Sequence, residues 1–137
     1  MDNTMYNNME ETEVKHDYGM KWHYFLIWFL LFFSAIINIV DGISCMEYAG
    51  QVGGAAFFGI SEIALGIFLI FVRFQLSGFK VNAVNYFTAA QVFVIIMSVL
   101  SAAVLGMEMN VSDIASNIGM IVITRAYYAK RAELFVN

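Results

Sequence analysis

Apolar positions in this chain gather into four runs separated by short polar connections. The first extends from about Trp22 to Val40, the second from about Ala55 to Val72, the third from about Ala83 to Gly106, and the fourth covers 109–128. A helical span needs about 20 residues to cross roughly 30 Å of hydrocarbon, so four such runs use nearly all of the chain. In hydrocarbon every backbone N–H and C=O must be satisfied within its own segment, which makes each run a helix. The pattern predicts an all-α integral membrane protein, an antiparallel four-helix transmembrane bundle over 21–137, preceded by a disordered acidic tail over 1–20.

The breaks have their own chemistry. Asp41-Gly42 closes the first run, and 41–54 reads as a flexible outer loop through Gly42, Gly50, Gly53 and Gly54. RFQLSGFK at 73–80 reads as an inner turn, and 107–110 as a brief outer one. Trp22 and Tyr24 open the first run as amphipathic aromatics do at a headgroup boundary. The fourth run is bounded by Asp113 and Arg125, which leave only a short uncharged stretch between them. It spans if Asp113 lies near the outer headgroups and Arg125 snorkels inward beside Tyr127 and Tyr128.

Charge decides that point and sets an orientation. The 7 basic residues all flank the same ends of the runs. Lys15 and Lys21 precede the first, Arg73 and Lys80 lie between the second and third, and Arg125, Lys130 and Arg131 close the fourth. The other connections carry Asp41, Glu47, Glu108 and Asp113 and no basic residue. Cytoplasmic loops are enriched in Lys and Arg, so both termini are expected inside. An interfacial fourth helix would strand three basic residues outside.

Composition narrows the function classes. With 61% apolar residues, no proline and 13% charged residues, this is not a soluble-domain composition. The net charge of −4 gives no attraction to nucleic acid. Cys45, the only cysteine, cannot form an internal disulfide or a redox pair, and is read as an inert side chain in the outer loop. His16 and His23 have no second histidine on another run, so a two-histidine haem site is unsupported and both read as solvated or interfacial. The Asn110-Val111-Ser112 sequon lies too near the membrane to read as a glycosylation site. No nucleophile–base pair, phosphate loop or metal-spacing cluster is present, so no enzyme, cofactor or metal is expected.

Glu62 is the one acidic residue deep in an apolar run. At helical spacing it shares a stripe with Ala55, Gly59 and Gly66, small residues that admit a neighbouring helix closely. Ser34, Asn38 and Asp41 form a polar stripe on the first run, and Thr88, Gln91, Ser98 and Ala102 one on the third. Asp113, Asn117 and Thr124 do so on the fourth, beside a small-residue face of Ser112, Ala115, Ser116 and Gly119. Counting about 1.5 Å per residue from the inner boundaries brings Glu62 and Asn117 to similar depth, with Gln91 and Ser34 close to it. These four form the candidate intramembrane polar site. Gly59, Gly66, Ser116 and Gly119 are the candidate helix-packing residues.

Two readings of Glu62 follow. It binds and releases a proton or cation, because hydrocarbon disfavours the charged carboxylate and access to water would switch it. Alternatively it is a neutral carboxyl hydrogen-bonded to a neighbouring Asn, Ser or Gln, setting helix register. The sequence favours the second, and with it a small non-enzymatic membrane protein acting through helix packing with itself or a larger membrane partner. The alternative is a small proton- or cation-coupled transporter or channel working through Glu62.

Three stretches, KWHYFLIWFLLFFSAIINIV at 21–40, RFQLSGFK at 73–80 and AKRAELFVN at 129–137, resemble a group of small, uncharacterised bacterial four-pass membrane proteins. The resemblance implies a bacterial inner-membrane location and supplies no site residues. Some members of that group carry an N-terminal zinc ribbon, for which this chain, with no cysteine before Cys45, has no ligands. The small multidrug exporters also have four short helices and one membrane glutamate. Their acid lies in the first span and their charge bias is weak, whereas here Glu62 lies in the second run and the bias is strong.

Overall fold

A computed structural model describes residues 19–136, which form helices and turns with no strand among the described residues. Helix α1 runs Lys21–Glu47, with one widened π-turn at Leu26–Leu30. Helix α2 is Ala55–Ser77, α3 is Ala83–Leu105 and α4 is Val111–Ala129, followed by a single 3-10 turn at Ala132–Leu134. With 27, 23 and 23 residues, α1, α2 and α3 are long and apolar enough to cross a membrane. Helix α4, 19 residues long, is not among those three. Its polar positions Asp113, Asn117 and Arg125 lower its apolar density.

The sequence expectation of a disordered tail falls almost wholly outside the described residues. Of that segment, the Gly19 carbonyl accepts hydrogen bonds from the Tyr127 hydroxyl and from Arg131 Nη2, each at 3.0 Å. The start of the described chain is thus tied to the end of α4.

The first connection differs from the sequence reading. Helix α1 does not end at Asp41-Gly42 but continues to Glu47, so Gly42 and Cys45 belong to its last turns rather than to a loop. Glycine in a helix interior costs about 1 kcal/mol relative to alanine. Here that cost is offset by approach: a methyl group at Gly42 would stand 2.7 Å from the Gly59 carbonyl and 2.6 Å from Ile63. A methyl at Gly59 would meet the Gly42 carbonyl at 2.8 Å, and one at Gly66 the Ala35 carbonyl at 2.8 Å. Three glycines and Ala35 therefore bring the backbones of α1 and α2 together along their length. Where lipid tails are as apolar as side chains, such close backbone packing is what holds helices together.

Neighbouring helices run antiparallel. Arg73, near the end of α2, donates from Nε to the Ile27 carbonyl near the start of α1, at 2.8 Å. That carbonyl belongs to the π-turn, where the widened ladder departs from regular i→i−4 pairing and turns acceptors toward other donors. The Arg73 guanidinium lies over Trp28 at 4.6 Å, so its charge rests on an aromatic face at the helix end. Near the start of α3, Asn85 and Thr88 accept from Arg125 near the end of α4.

All four helices meet at the end that gathers the basic residues. The His23 ring of α1, only 1% exposed, forms a 2.7 Å hydrogen bond through Nδ1 with the Tyr128 hydroxyl of α4. It stacks on Phe79 from the α2–α3 turn at 4.9 Å, and Phe135 closes the cluster edge-on to Phe79 and Tyr128. His23 is therefore not solvated, because Phe79 and Tyr128 from distant segments cover it. His16 lies outside the described residues. Phe79 itself has φ 49°, a left-handed conformation costly for a bulky side chain. The packing of its ring on His23 and Phe135 holds it there.

The turns at the opposite end are simpler. Gly106, at φ 65°, takes the left-handed position that ends α3. Asn110 caps α4, its side-chain oxygen accepting from the Ser112 amide at 3.1 Å. The residue that begins the sequon thus has a structural task in starting the helix.

Candidate intramembrane polar site

Glu62 lies on α2 about 10 Å along the axis from Ala55, counted at 1.5 Å per residue. The glycine contacts on either side fix its direction. Gly59 and Gly66 face α1, which leaves Glu62, between them on the helix, at the edge of the α1–α2 seam and turned toward α3. It borders a cavity of about 110 Å³ whose polar lining is Glu62, Asn38 of α1, and Ser98 and Ser101 of α3. Apolar walls come from Phe58, Leu65, Phe93 and Met97, among others.

Hydrogen bonding inside the cavity is only partly internal. Asn38 donates from Nδ2 to the Ser34 carbonyl at 2.7 Å, one turn back on its own helix. Ser101 donates to the Ser98 carbonyl at 3.0 Å. One Nδ2–H of Asn38 and the Ser101 hydroxyl are thus committed locally. Glu62 Oε2 is buried and has no hydrogen-bond partner among the described residues. A buried polar atom left unpaired costs about 1–3 kcal/mol, more if charged. A volume of this size holds a few water molecules or one partly hydrated cation. The arrangement can therefore bring a proton, a water or a small cation to a carboxyl oxygen that no described residue claims.

The four residues selected from the sequence fare differently. Glu62 lines the cavity. Ser34 does not, and contributes instead the carbonyl that receives Asn38. Gln91 lies two turns nearer the start of α3 than Ser98 and is not part of the lining. Asn117 donates to the Asp113 carbonyl of its own helix at 2.8 Å and is also outside the lining. Asn38 and Ser98 stood on the same polar stripes as Ser34 and Gln91. Depth counting started from Val72, whereas α2 continues to Ser77, which puts Glu62 farther from that end and level with Ser98 rather than Gln91.

The packing residues divide as well. Gly59 and Gly66 are occupied by α1 within the same chain. Gly119 has nothing within 4 Å of where a methyl would stand, and Ser116 is exposed, so that face of α4 is open. Among the described residues, no group of three or more His, Cys, Asp or Glu side chains could hold a metal ion.

The aromatic cluster around His23 was not foreseen. Its only signal was a histidine beside Trp22 and Tyr24, ordinary for a membrane boundary, since its partners lie 56, 105 and 112 residues away at Phe79, Tyr128 and Phe135. The fold and site together define an all-helical protein with three helices capable of crossing a membrane and a carboxylate between them. Comparison of the chain with protein-family models, with curated proteins and with solved structures returned no match.

Proposed function

We propose that this chain is a multi-pass membrane protein, an antiparallel four-helix bundle with both termini cytoplasmic, in which Glu62 takes up and releases a proton or small cation. The observation that carries the reading is the unpartnered Glu62 Oε2 beside a polar cavity shared by three helices. An intramembrane ionisable residue that faces a cavity rather than lipid is a pathway or relay residue by default. Had Asn38 or a serine capped that oxygen, a register-setting role would be the better account. The role is non-enzymatic.

Several features support the bundle and its orientation. Helix α4 packs on α3 through Arg125 and reaches α1 through Tyr128, which suits a fourth span despite its lower apolar density. Arg73, Lys80, Arg125, Lys130 and Arg131 gather at one end, as cytoplasmic ends do. The resemblance to small bacterial four-pass proteins adds a bacterial inner membrane as the location.

The deciding experiment reconstitutes the protein in vesicles and measures proton and monovalent-cation flux for the parent and for Glu62→Gln. Flux in the parent that Glu62→Gln abolishes supports the reading. No flux from either, with both folded, overturns it. For orientation, Gln51→Cys in a Cys45→Ser background should react with an impermeant thiol reagent outside intact cells, and Ser77→Cys should not. The reverse pattern refutes it.

A second reading, association with another copy or a larger membrane partner, is favoured by one observation. The Ser116 and Gly119 face of α4 is uncovered within the chain. Gly119→Leu and Ser116→Leu should then weaken association measured in membranes, whereas an unaffected oligomer counts against that face.

A further inference from the structure

A second cavity lies away from Glu62, at the inner end of α3 and α4. It is a groove of about 530 Å³, and Val81, Val84, Ala126, Ala129 and Phe135 give it a largely apolar wall. Alanines at 126, 129 and 132 are exposed and keep that wall shallow. Arg125 and Asn85 stand in the same lining.

Arg125 is the unusual member. It sits four residues before Ala129, so about 6 Å inside the end of α4 at 1.5 Å per residue. In a bilayer that is the level where headgroups give way to acyl chains. Its Nη1 donates to Asn85 Oδ1 at 3.4 Å and to Thr88 Oγ1 at 3.2 Å. Both acceptors are neutral, so they position the guanidinium without compensating its charge. The Nε and Nη2 edge of the fork remains to receive an anion, and a fork of that geometry matches two phosphate oxygens. Lys130 and Arg131 follow on the same helix end and Lys80 lies on the adjoining turn, against the single acid Glu133 of the C-terminal segment.

We propose that this groove holds one anionic phospholipid of the inner leaflet, its phosphate on the Arg125 fork and an acyl chain along Val81, Val84 and Ala129. The proposal rests on the membrane-spanning reading given above. Charge complementarity selects the ligand: a net positive helix end beside an apolar trough fits a phosphodiester with an attached chain. A soluble phosphate would leave the trough unused, and a zwitterionic lipid would present its own cation to the basic end.

The test uses the full chain in nanodiscs made from equal amounts of phosphatidylglycerol and phosphatidylcholine, released for native mass spectrometry. The parent should retain one phosphatidylglycerol in preference to phosphatidylcholine. Arg125→Gln should reduce that retention on the order of tenfold, equivalent to about 1.4 kcal/mol. Arg125→Lys should reduce it less, keeping the charge and losing the fork. Ala129→Trp should displace the lipid by filling the trough while leaving every charge in place, which keeps the test decisive if Arg125→Gln fails to fold. Lys21→Gln, on α1, should behave as the parent.

Equal retention of both lipids by the parent, or an unchanged preference in Arg125→Gln and Ala129→Trp, overturns the proposal. Displacement of the lipid by glycerol 3-phosphate would reassign the site to a soluble phosphate. A protein dimer that emerges without lipid would assign the groove to a second copy. Release of the protein from membranes by alkaline carbonate would instead count against the spanning reading itself, so the two failures are distinguishable.

Discussion

The two helical hairpins of this protein are built on different terms. In the first, α1 and α2 touch along their whole length, and buried residues on α2 extend from Ala55 to Leu76. In the second, burial is confined to one end: Ala83, Phe87 and Ala90 at the start of α3, Thr124 and Tyr128 at the end of α4. The cause is which small residues face each other. Gly42, Gly59, Gly66 and Ala35 lie in register across the first hairpin. Gly119 of the second faces nothing. Helix α3 docks at its start and meets the beginning of α2 again near its own end, where a methyl at Gly54 would stand 3.5 Å from Val104. Between those points it stands off, and the Glu62 cavity is the gap. The polar site is thus a consequence of unequal packing, not of a dedicated loop or insertion.

The largest effects should come from attacking the close seam. Gly59→Leu or Gly66→Leu forces a side chain against backbone carbonyls that cannot rotate away, and overpacking of this kind costs about 1–3 kcal/mol or more. Reversible unfolding in mixed micelles should show that loss. Gly119→Leu, where there is open space, should leave the unfolding curve within a few tenths of a kcal/mol of the parent. Equal sensitivity of the two hairpins would erase the distinction between them.

Next comes the aromatic cluster around His23, which ties the second hairpin to the first. Tyr128→Phe keeps the ring and removes the hydroxyl bonded to His23. Interhelical hydrogen bonds in membranes contribute about 0.6 kcal/mol on average and up to about 1.7, so a loss near 1 kcal/mol is expected in the same assay. A variant as stable as the parent would show that ring packing alone closes this end. Thr124 sharpens the point. It is fully buried with no partner for Oγ1 among the described residues, so Thr124→Val should be neutral or stabilising by up to about 1 kcal/mol. A clear destabilisation would mean that its hydroxyl is engaged.

The smallest stability effect belongs to the gap. Glu62→Gln removes a buried ionisable oxygen without changing the side chain's size, so stability should hold or rise slightly, by about 1 kcal/mol or less, while any flux is lost. A marked loss of stability would make Glu62 a structural residue and close the transport reading.

Much of the fold was legible in the sequence. The helices, their approximate limits and the antiparallel order of neighbours follow from long apolar runs and short connections, because a backbone in hydrocarbon has few ways to satisfy itself. The end that gathers the basic residues was equally plain. The site was legible only in part. Glu62 announced itself as a lone acid in an apolar run, and Asn38 and Ser98 lay on recognised stripes. Which members of those stripes line the cavity depended on how far α2 continues past Val72 and how each helix is rotated, neither of which local periodicity contains. Gly42 misled in the same way, since one glycine serves a loop or a close helix contact equally well.

By itself the sequence determined that the chain is helical, that most of its helices suit a membrane, and that one carboxylate lies among apolar residues. Those are properties of single segments in a uniform solvent. Only the tertiary structure decided that Gly42 lies against Gly59, that His23 is covered by Phe79 and Tyr128, and that a cavity rather than a hydrogen bond meets Glu62 Oε2. Each of those depends on the register between two helices. When helices are apolar on most faces, register is set by steric fit at a few small residues, and that fit appears only when both surfaces are in place.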